Sequence, residues 1–185
     1  MNFLKKNLIY IVLIIILSAF ALIKPLKNFI SGQIAMSPAV EKINNETMLS
    51  DEVLNIDLKG INTENTNLKS LRGKVLFLNF WATWCPPCRA EFPTIQKLYE
   101  LRKDKMGFAL IAMQDEEENV KKFLKENNYS IPVYIAESPL DSKILPEVLP
   151  TTYLIGKDGR VLKKEDGSMD WSQENILNFV DNVTK

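Results

Sequence analysis

Histidine is missing from all 185 residues of this chain, and cysteine occurs only twice, as Cys85 and Cys88. The first absence removes imidazole from its usual roles as general base, metal ligand and titrating switch near neutral pH. The second leaves the two thiols with only each other, so they belong to no larger disulfide framework. Two sulfurs alone do not complete a four-ligand zinc site either. No metal and no cofactor are expected. A net basic surface is also lacking. Four of the 23 basic residues (Lys5, Lys6, Lys24 and Lys27) and none of the 23 acids fall within residues 1–30, so the remainder carries four more acids than bases. That balance disfavours binding to a phosphate backbone, and nucleic acid is not an expected partner. Internal repeats and low-complexity tracts are absent too.

Long apolar runs are scarce except at the beginning. From Leu8 to Ile23 the one polar interruption is Ser18, with lysines on both flanks. At about 1.5 Å per residue this run makes roughly 24 Å of helix, a little short of a hydrocarbon core of about 30 Å. Flanking lysines that snorkel make up the difference. The alternative is a cleaved export signal ending at Ala19-Phe20-Ala21. Because the run continues through Leu22-Ile23, an uncleaved single-pass anchor is the preferred reading. Residues 1–27 are therefore assigned to a transmembrane segment in contact with the bilayer through residues 8–23. Residues 28–50, broken by Ser31-Gly32, Ser37-Pro38 and Asn44-Asn45, are assigned to a linker, and residues 51–185 to a single domain.

Both cysteines lie in Trp81-Ala82-Thr83-Trp84-Cys85-Pro86-Pro87-Cys88, directly after the apolar run Val75–Phe80. A strand that delivers a C-x-x-C pair to the first turn of a helix lowers the pKa of the first thiol, because free N–H groups and the helix dipole stabilise an anion there. Pro86 and Pro87 suit first-turn positions, which need no N–H. This context favours disulfide exchange over a zinc knuckle. Cys85 is expected to be the partly uncovered nucleophile and Cys88 the buried resolving thiol.

The remaining pattern alternates strands and helices. Ile56 and Leu58 with Lys59-Gly60 predict an N-terminal hairpin. Val75–Trp81 and Phe108–Met113 predict neighbouring parallel strands around a helix carrying Phe92, Ile95, Leu98 and Leu101. Val120, Phe123 and Leu124 predict a second helix, with Asp115–Glu118 read as favourable charge at its start. Ile131–Ile135 predicts a strand whose Pro132 marks an edge or a beginning. Thr152–Ile155 and Val161–Lys163 flank the hairpin signal Lys157-Asp158-Gly159, and Ile176–Val183 closes the chain as a helix. The sum is an α/β domain with a mixed sheet of four or five strands and helices on both faces. Pro93 either kinks the first helix or marks a later helix start. Glu91, one turn after Cys88, is either a proton carrier for the thiols or a solvated surface acid. Pro150 is by default an ordinary trans proline, although a cis bond there would offer backbone to an extended peptide.

The segments Leu78–Cys88, Glu91-Phe92-Pro93 and Leu149–Ile155 together resemble the TlpA/ResA-like family of membrane-anchored thioredoxin-fold disulfide reductases of the bacterial cell exterior. The resemblance spans roughly residues 51–185 and implies a thioredoxin-like fold. It implies catalytic roles for Cys85, Cys88 and Glu91, and a cis Pro150 facing the thiols. It also places substrate contacts at Trp84, Pro86, Leu149, Pro150 and Thr151. Asn79 stands where cytoplasmic thioredoxins carry a buried Asp. Family members include reductants of apocytochrome c thiols that are fed electrons by a membrane thiol-relay protein. The expected protein is thus a monomer anchored in the bacterial cytoplasmic membrane, its domain on the periplasmic side, reducing a disulfide-containing protein substrate. The rival functions are a peroxiredoxin-like thiol peroxidase using Thr83 beside Cys85, a dithiol oxidase, and a copper metallochaperone.

Overall fold

A computed structural model describes residues 47–185. The apolar run at residues 8–23 and most of the expected linker lie outside those residues. Among the described residues no helix is long and apolar enough to cross a membrane.

The described chain forms β1 (Asp57–Gly60), β2 (Thr66–Asn67), a short 3-10 helix (Leu68–Leu71), β3 (Val75–Trp81), α1 (Pro86–Arg102), β4 (Met106–Ala112), α2 (Glu117–Glu126), β5 (Val133–Ala136), β6 (Thr151–Ile155), β7 (Val161–Asp166) and α3 (Glu174–Val183). The strands make one mixed sheet in the order β2-β1-β5-β4-β3-β6-β7. It has seven strands where four or five were expected. The expected hairpin does form, but β1 also pairs antiparallel with β5, which draws both hairpin strands into the main sheet. Pro132 directly precedes β5, and its carbonyl accepts from Leu110 N at 3.2 Å. The proline therefore marks a strand start in the sheet interior, where no ladder N–H is lost.

All seven residues of β3 are buried, as a central strand covered on both faces requires. Its odd-numbered apolar residues, Val75, Phe77 and Trp81, join one core with Phe92, Ile95 and Leu98 of α1, Val120 and Phe123 of α2, and Ile176 and Val180 of α3. Its even-numbered residues, Leu76, Leu78 and Phe80, join a second core with Leu54, Ile56, Leu68 and Ile144. The three α-helices thus share one face, which corrects the expectation of helices on both. The reason is topological. β3-α1-β4 and β4-α2-β5 both step toward the same side of the sheet, and right-handed crossovers in one direction place their helices on one face. The opposite face is covered by the 3-10 helix and irregular chain.

That irregular cover begins earlier than Asp51. Leu49, assigned to the linker from sequence, is 1% exposed, and its N–H donates to Gly159 O at 2.9 Å. Gly159, at φ +90°, closes the hairpin between β6 and β7 in a conformation that favours glycine.

Candidate active site

Cys85 caps the N-terminus of α1 with extended backbone, and Pro86 and Pro87 occupy the first helical positions. Its sulfur accepts from Cys88 N at 3.3 Å and is bonded to Cys88 as a disulfide. The expected asymmetry between the sulfurs is narrower than predicted, because Cys85 is only 3% exposed while Cys88 is fully enclosed. An N-cap sulfur folded back over the first turn and joined to Cys88 has little surface left. What remains opens into a groove of about 430 Å³ lined by Trp84, Cys85, Pro86, Met113, Val148 and Leu149, among others. Trp84 and Val148 are each more than half exposed on its rim.

The groove stands at the C-terminal end of β3 and the N-terminal end of β6. The Leu149–Pro150 peptide is cis, as the resemblance implied, and Thr151 follows it as the first residue of β6. Thr151 is not free for a substrate through its side chain: its hydroxyl lies 2.9 Å from both Val148 O and Asp166 Oδ1. The resemblance implied substrate contacts at Trp84, Pro86, Leu149, Pro150 and Thr151, from two segments far apart in the chain; Trp84, Pro86 and Leu149 line the groove, whereas Pro150 and Thr151 are buried and do not. The fold brings those segments together through the β3–β6 ladder, which pairs Phe80 with Thr151.

Helix α1 runs unbroken through Pro93, so the alternative of a later start is overturned. Pro93 and Arg89 both lie on the exposed side, where the Arg89 carbonyl that lacks a donor is solvated. Within this helix Glu91 sits one turn beyond Cys88 and is 2% exposed, which removes the surface-acid reading. Its Oε1 accepts from Asn79 Nδ2 at 3.1 Å. Its Oε2 accepts from Met169 N at 3.1 Å and from the Trp171 indole at 3.2 Å. Burial in the apolar core pushes the Glu91 pKa up from 4.5 to about 7; the three donors pull against that rise, and the negative charge of Glu165 adds to it. A buried carboxyl group one turn from Cys88 that changes charge near neutrality can take up and return protons.

Three contributors were not found from sequence. Met169 and Trp171 lie about 80 residues beyond Glu91, and no local pattern links them. The third is Asp115, read as helix-start charge. Glu117 and Glu118 do occupy the first turn of α2. Asp115 instead precedes the helix and accepts from Thr83 N at 2.6 Å and Thr83 Oγ1 at 3.0 Å. Next to it, Gln114 O accepts from the Trp84 indole at 3.0 Å. The loop after β4 therefore clasps the two residues before Cys85. The Thr83 hydroxyl hydrogen is thereby directed at Asp115. Among the described residues no cluster of three or more Cys, Asp or Glu side chains is arranged to hold a metal ion.

Comparison with known proteins agrees with this geometry. The family model described as Redoxin matches residues 45–180. A thiol-disulfide oxidoreductase ResA of Bacillus cereus is 38% identical over 134 residues, covering 69% of this chain and 72% of that protein. ResA of Bacillus subtilis is 36% identical over 121 residues, covering 62% and 65%. Among solved structures, StoA of Bacillus subtilis superposes with a TM-score of 0.52 at 24% identity, covering 70% of this chain and 95% of that one, a likeness of fold. With its thioredoxin-like α/β fold and its C-x-x-C disulfide, this chain belongs to the Redoxin family and is a thiol-disulfide oxidoreductase of the ResA type.

Proposed function

We propose that this protein is a reductase of protein disulfides on the outer side of the bacterial cytoplasmic membrane, with cytochrome c apoprotein thiols among its targets. Residues 1–27, through the apolar run 8–23, anchor it as a single-pass protein; the segment from residue 28 serves as tether up to the point where Leu49 packs into the domain, and the rest of the chain is the monomeric catalytic domain. In the reduced enzyme the Cys85 thiolate attacks the substrate disulfide. One substrate sulfur becomes bonded to Cys85, and the other leaves as a thiolate and takes a proton. Glu91, as carboxylate, then accepts the Cys88 proton. The Cys88 thiolate attacks the Cys85 sulfur, closes the Cys85–Cys88 disulfide and expels the second substrate thiolate. The two electrons gained by the substrate are restored to the enzyme by a dithiol of a membrane relay protein. Trp84, Pro86 and Leu149 line the groove in which the substrate chain would lie, and the buried Pro150 and Thr151 follow Leu149 behind it.

The observation that carries this reading is the buried Glu91 one turn from a fully enclosed Cys88. A carboxylate there opposes thiolate formation, so it denies the reduced form the thiolate stabilisation that makes strong oxidants oxidising. A reducing couple results, near the thioredoxin end (about −270 mV) of a range that reaches about −120 mV in strong oxidants. Redox equilibration of the purified domain against glutathione tests the direction. A potential close to that of the strong oxidants sinks the reductase assignment. Replacement of Cys88 by Ala, which leaves the mixed disulfide on Cys85 unresolved, captures the substrate in membranes for identification. Capture of proteins without haem-binding cysteines alone would remove the cytochrome proposal and leave the reductase in place.

A further inference from the structure

The Glu91 niche contains one polar atom that the mechanism leaves unused. Asn79, at the centre of β3 and fully buried, spends its whole donor end inward: Nδ2 reaches Glu91 Oε1 at 3.1 Å and Thr152 Oγ1 at 2.8 Å. Its other end, Oδ1, is buried with no hydrogen-bond partner. A native core rarely leaves such an atom without a reason.

The chemistry of the neighbours supplies one. The groups facing Oε2 of Glu91, the Met169 backbone N–H and the Trp171 indole, only donate. A proton added to Glu91 is therefore directed to Oε1, opposite Asn79. If Nδ2 stayed in place, two hydrogens would then meet head-on. A half-turn of the amide puts Oδ1 where Nδ2 was, at almost no cost in shape. Oδ1 has two lone pairs for the two positions, and the Thr152 hydroxyl donates as readily as it accepts, so both contacts survive with reversed polarity. One amide end lacks a partner in either orientation, the carbonyl before the turn and the amino group after it, and the difference between those costs is set against the head-on meeting of hydrogens that the turn removes.

We infer that the Asn79 amide turns over when Glu91 gains or loses its proton, and that Asn79, supported by Thr152, is the positioning residue that keeps the buried acid hydrogen-bonded in both charge states. The inference rests on the reading of Glu91 as proton acceptor for Cys88. The surroundings of the niche are consistent with a local device. Cys85 and Cys88 are joined and uncharged. The charge that reaches Glu91 from elsewhere is that of Glu165 on β7, in register with Thr152 and paired to Lys163 at 2.7 Å. No backbone movement is needed.

The test uses the oxidised domain. Neutron diffraction on deuterated crystals well below and well above about pH 7 locates the Asn79 deuterons directly. They are expected on the Glu91 side at high pH and on the opposite side at low pH. Glu91→Gln, which presents a permanent donor, should fix the low-pH orientation at every pH. In solution, carboxyl NMR of Asn79→Leu gives a second reading. A partner that serves both charge states leaves the proton affinity of Glu91 within about threefold on removal, whereas a fixed donor to the anion would raise it more than about tenfold. A titrating Glu91 with a stationary amide overturns this inference alone. A Glu91 that keeps one charge state across the range overturns it together with the proton-acceptor role.

Discussion

Glu91 on α1 and Glu117 on α2 are the same side chain under opposite forces. Glu91 is enclosed by the apolar core and receives only neutral donors, so its pKa rises to about 7. Glu117 sits at a helix start in contact with Lys59 at 2.6 Å and Lys121 at 2.8 Å, and those two ammonium groups hold it down to about 2. Burial without a counter-charge makes an acid that changes state where the protein works. Counter-charges at the surface make one that stays ionised. The difference teaches that hydrogen-bond count is a poor guide to protonation here: Glu91 has three donors and still holds its proton longer, because desolvation outweighs them.

The contrast is broken most strongly by Glu91→Gln. The folded-state pKa of Glu91 lies above its ordinary 4.5, so the native protein binds the extra proton between 4.5 and about 7. Stability from this group is complete below 4.5 and declines as pH rises through about 7. A glutamine has no proton to lose. The oxidised variant should therefore gain on the native protein across that window, by up to about 3 kcal/mol above its upper end. Urea unfolding at several pH values measures it, and a difference that does not vary with pH contradicts the burial argument. Turnover moves the other way. Without a proton acceptor for Cys88, disulfide reduction should fall by about 100-fold, the lower range for general base catalysis.

A smaller effect is expected at Asp115, an acid that works through geometry. It receives both the N–H and the hydroxyl of Thr83, two residues before the nucleophile. Asp115→Asn keeps its oxygen on the Thr83 N–H and turns its amide donor to the Thr83 hydroxyl, which accepts it. Both contacts survive without the charge that strengthened them, a loss of about 1–2 kcal/mol, and the loop bearing Trp84 and Cys85 loosens. Alkylation of Cys85 in the reduced variant should become faster, and the melting temperature should drop. Unchanged values for both would show that Trp84, through Gln114 O, holds the loop unaided.

These positions also show where sequence reading reaches its limit. The cysteine pair, the prolines at the helix start and the Lys157-Asp158-Gly159 turn are fixed by chemistry within a few residues, and all were legible. So was β3 as a central strand, though not what covers each of its faces: which face the helices cover depends on the direction of successive crossovers, and no residue states that. The sheet was undercounted because the expected hairpin joins it through the pairing of β1 with β5, a contact between segments some 75 residues apart. At the site, Glu91 could be placed one turn from Cys88 by arithmetic, but its burial could not. That burial depends on Met169 and Trp171, which reach it from the segment after β7. Thr152 was read as the start of a strand, and only the pairing of β6 with β3 makes it a partner of Asn79. Residues that act through contacts some 70 to 80 positions away leave no local trace.

The smallest effect is expected at Glu117. Its pKa is depressed, so what it contributes is present above 4.5 and is lost as pH falls through about 2, the reverse of Glu91. Exposed ion pairs are screened by water and salt, and Lys121 has a second acid in Glu118 at 3.4 Å to fall back on. Glu117→Gln should accordingly leave the melting temperature nearly unchanged at neutral pH and physiological salt. A slight loss should emerge only at low ionic strength, and turnover should match the native protein. The telling measurement is the salt dependence of the melting temperature in the two single variants. The Glu117→Gln difference should vanish as salt is raised, and the Glu91→Gln difference should persist because its origin is desolvation inside the core. If both respond alike to salt, the two acids share one electrostatic environment and the contrast between core and surface fails.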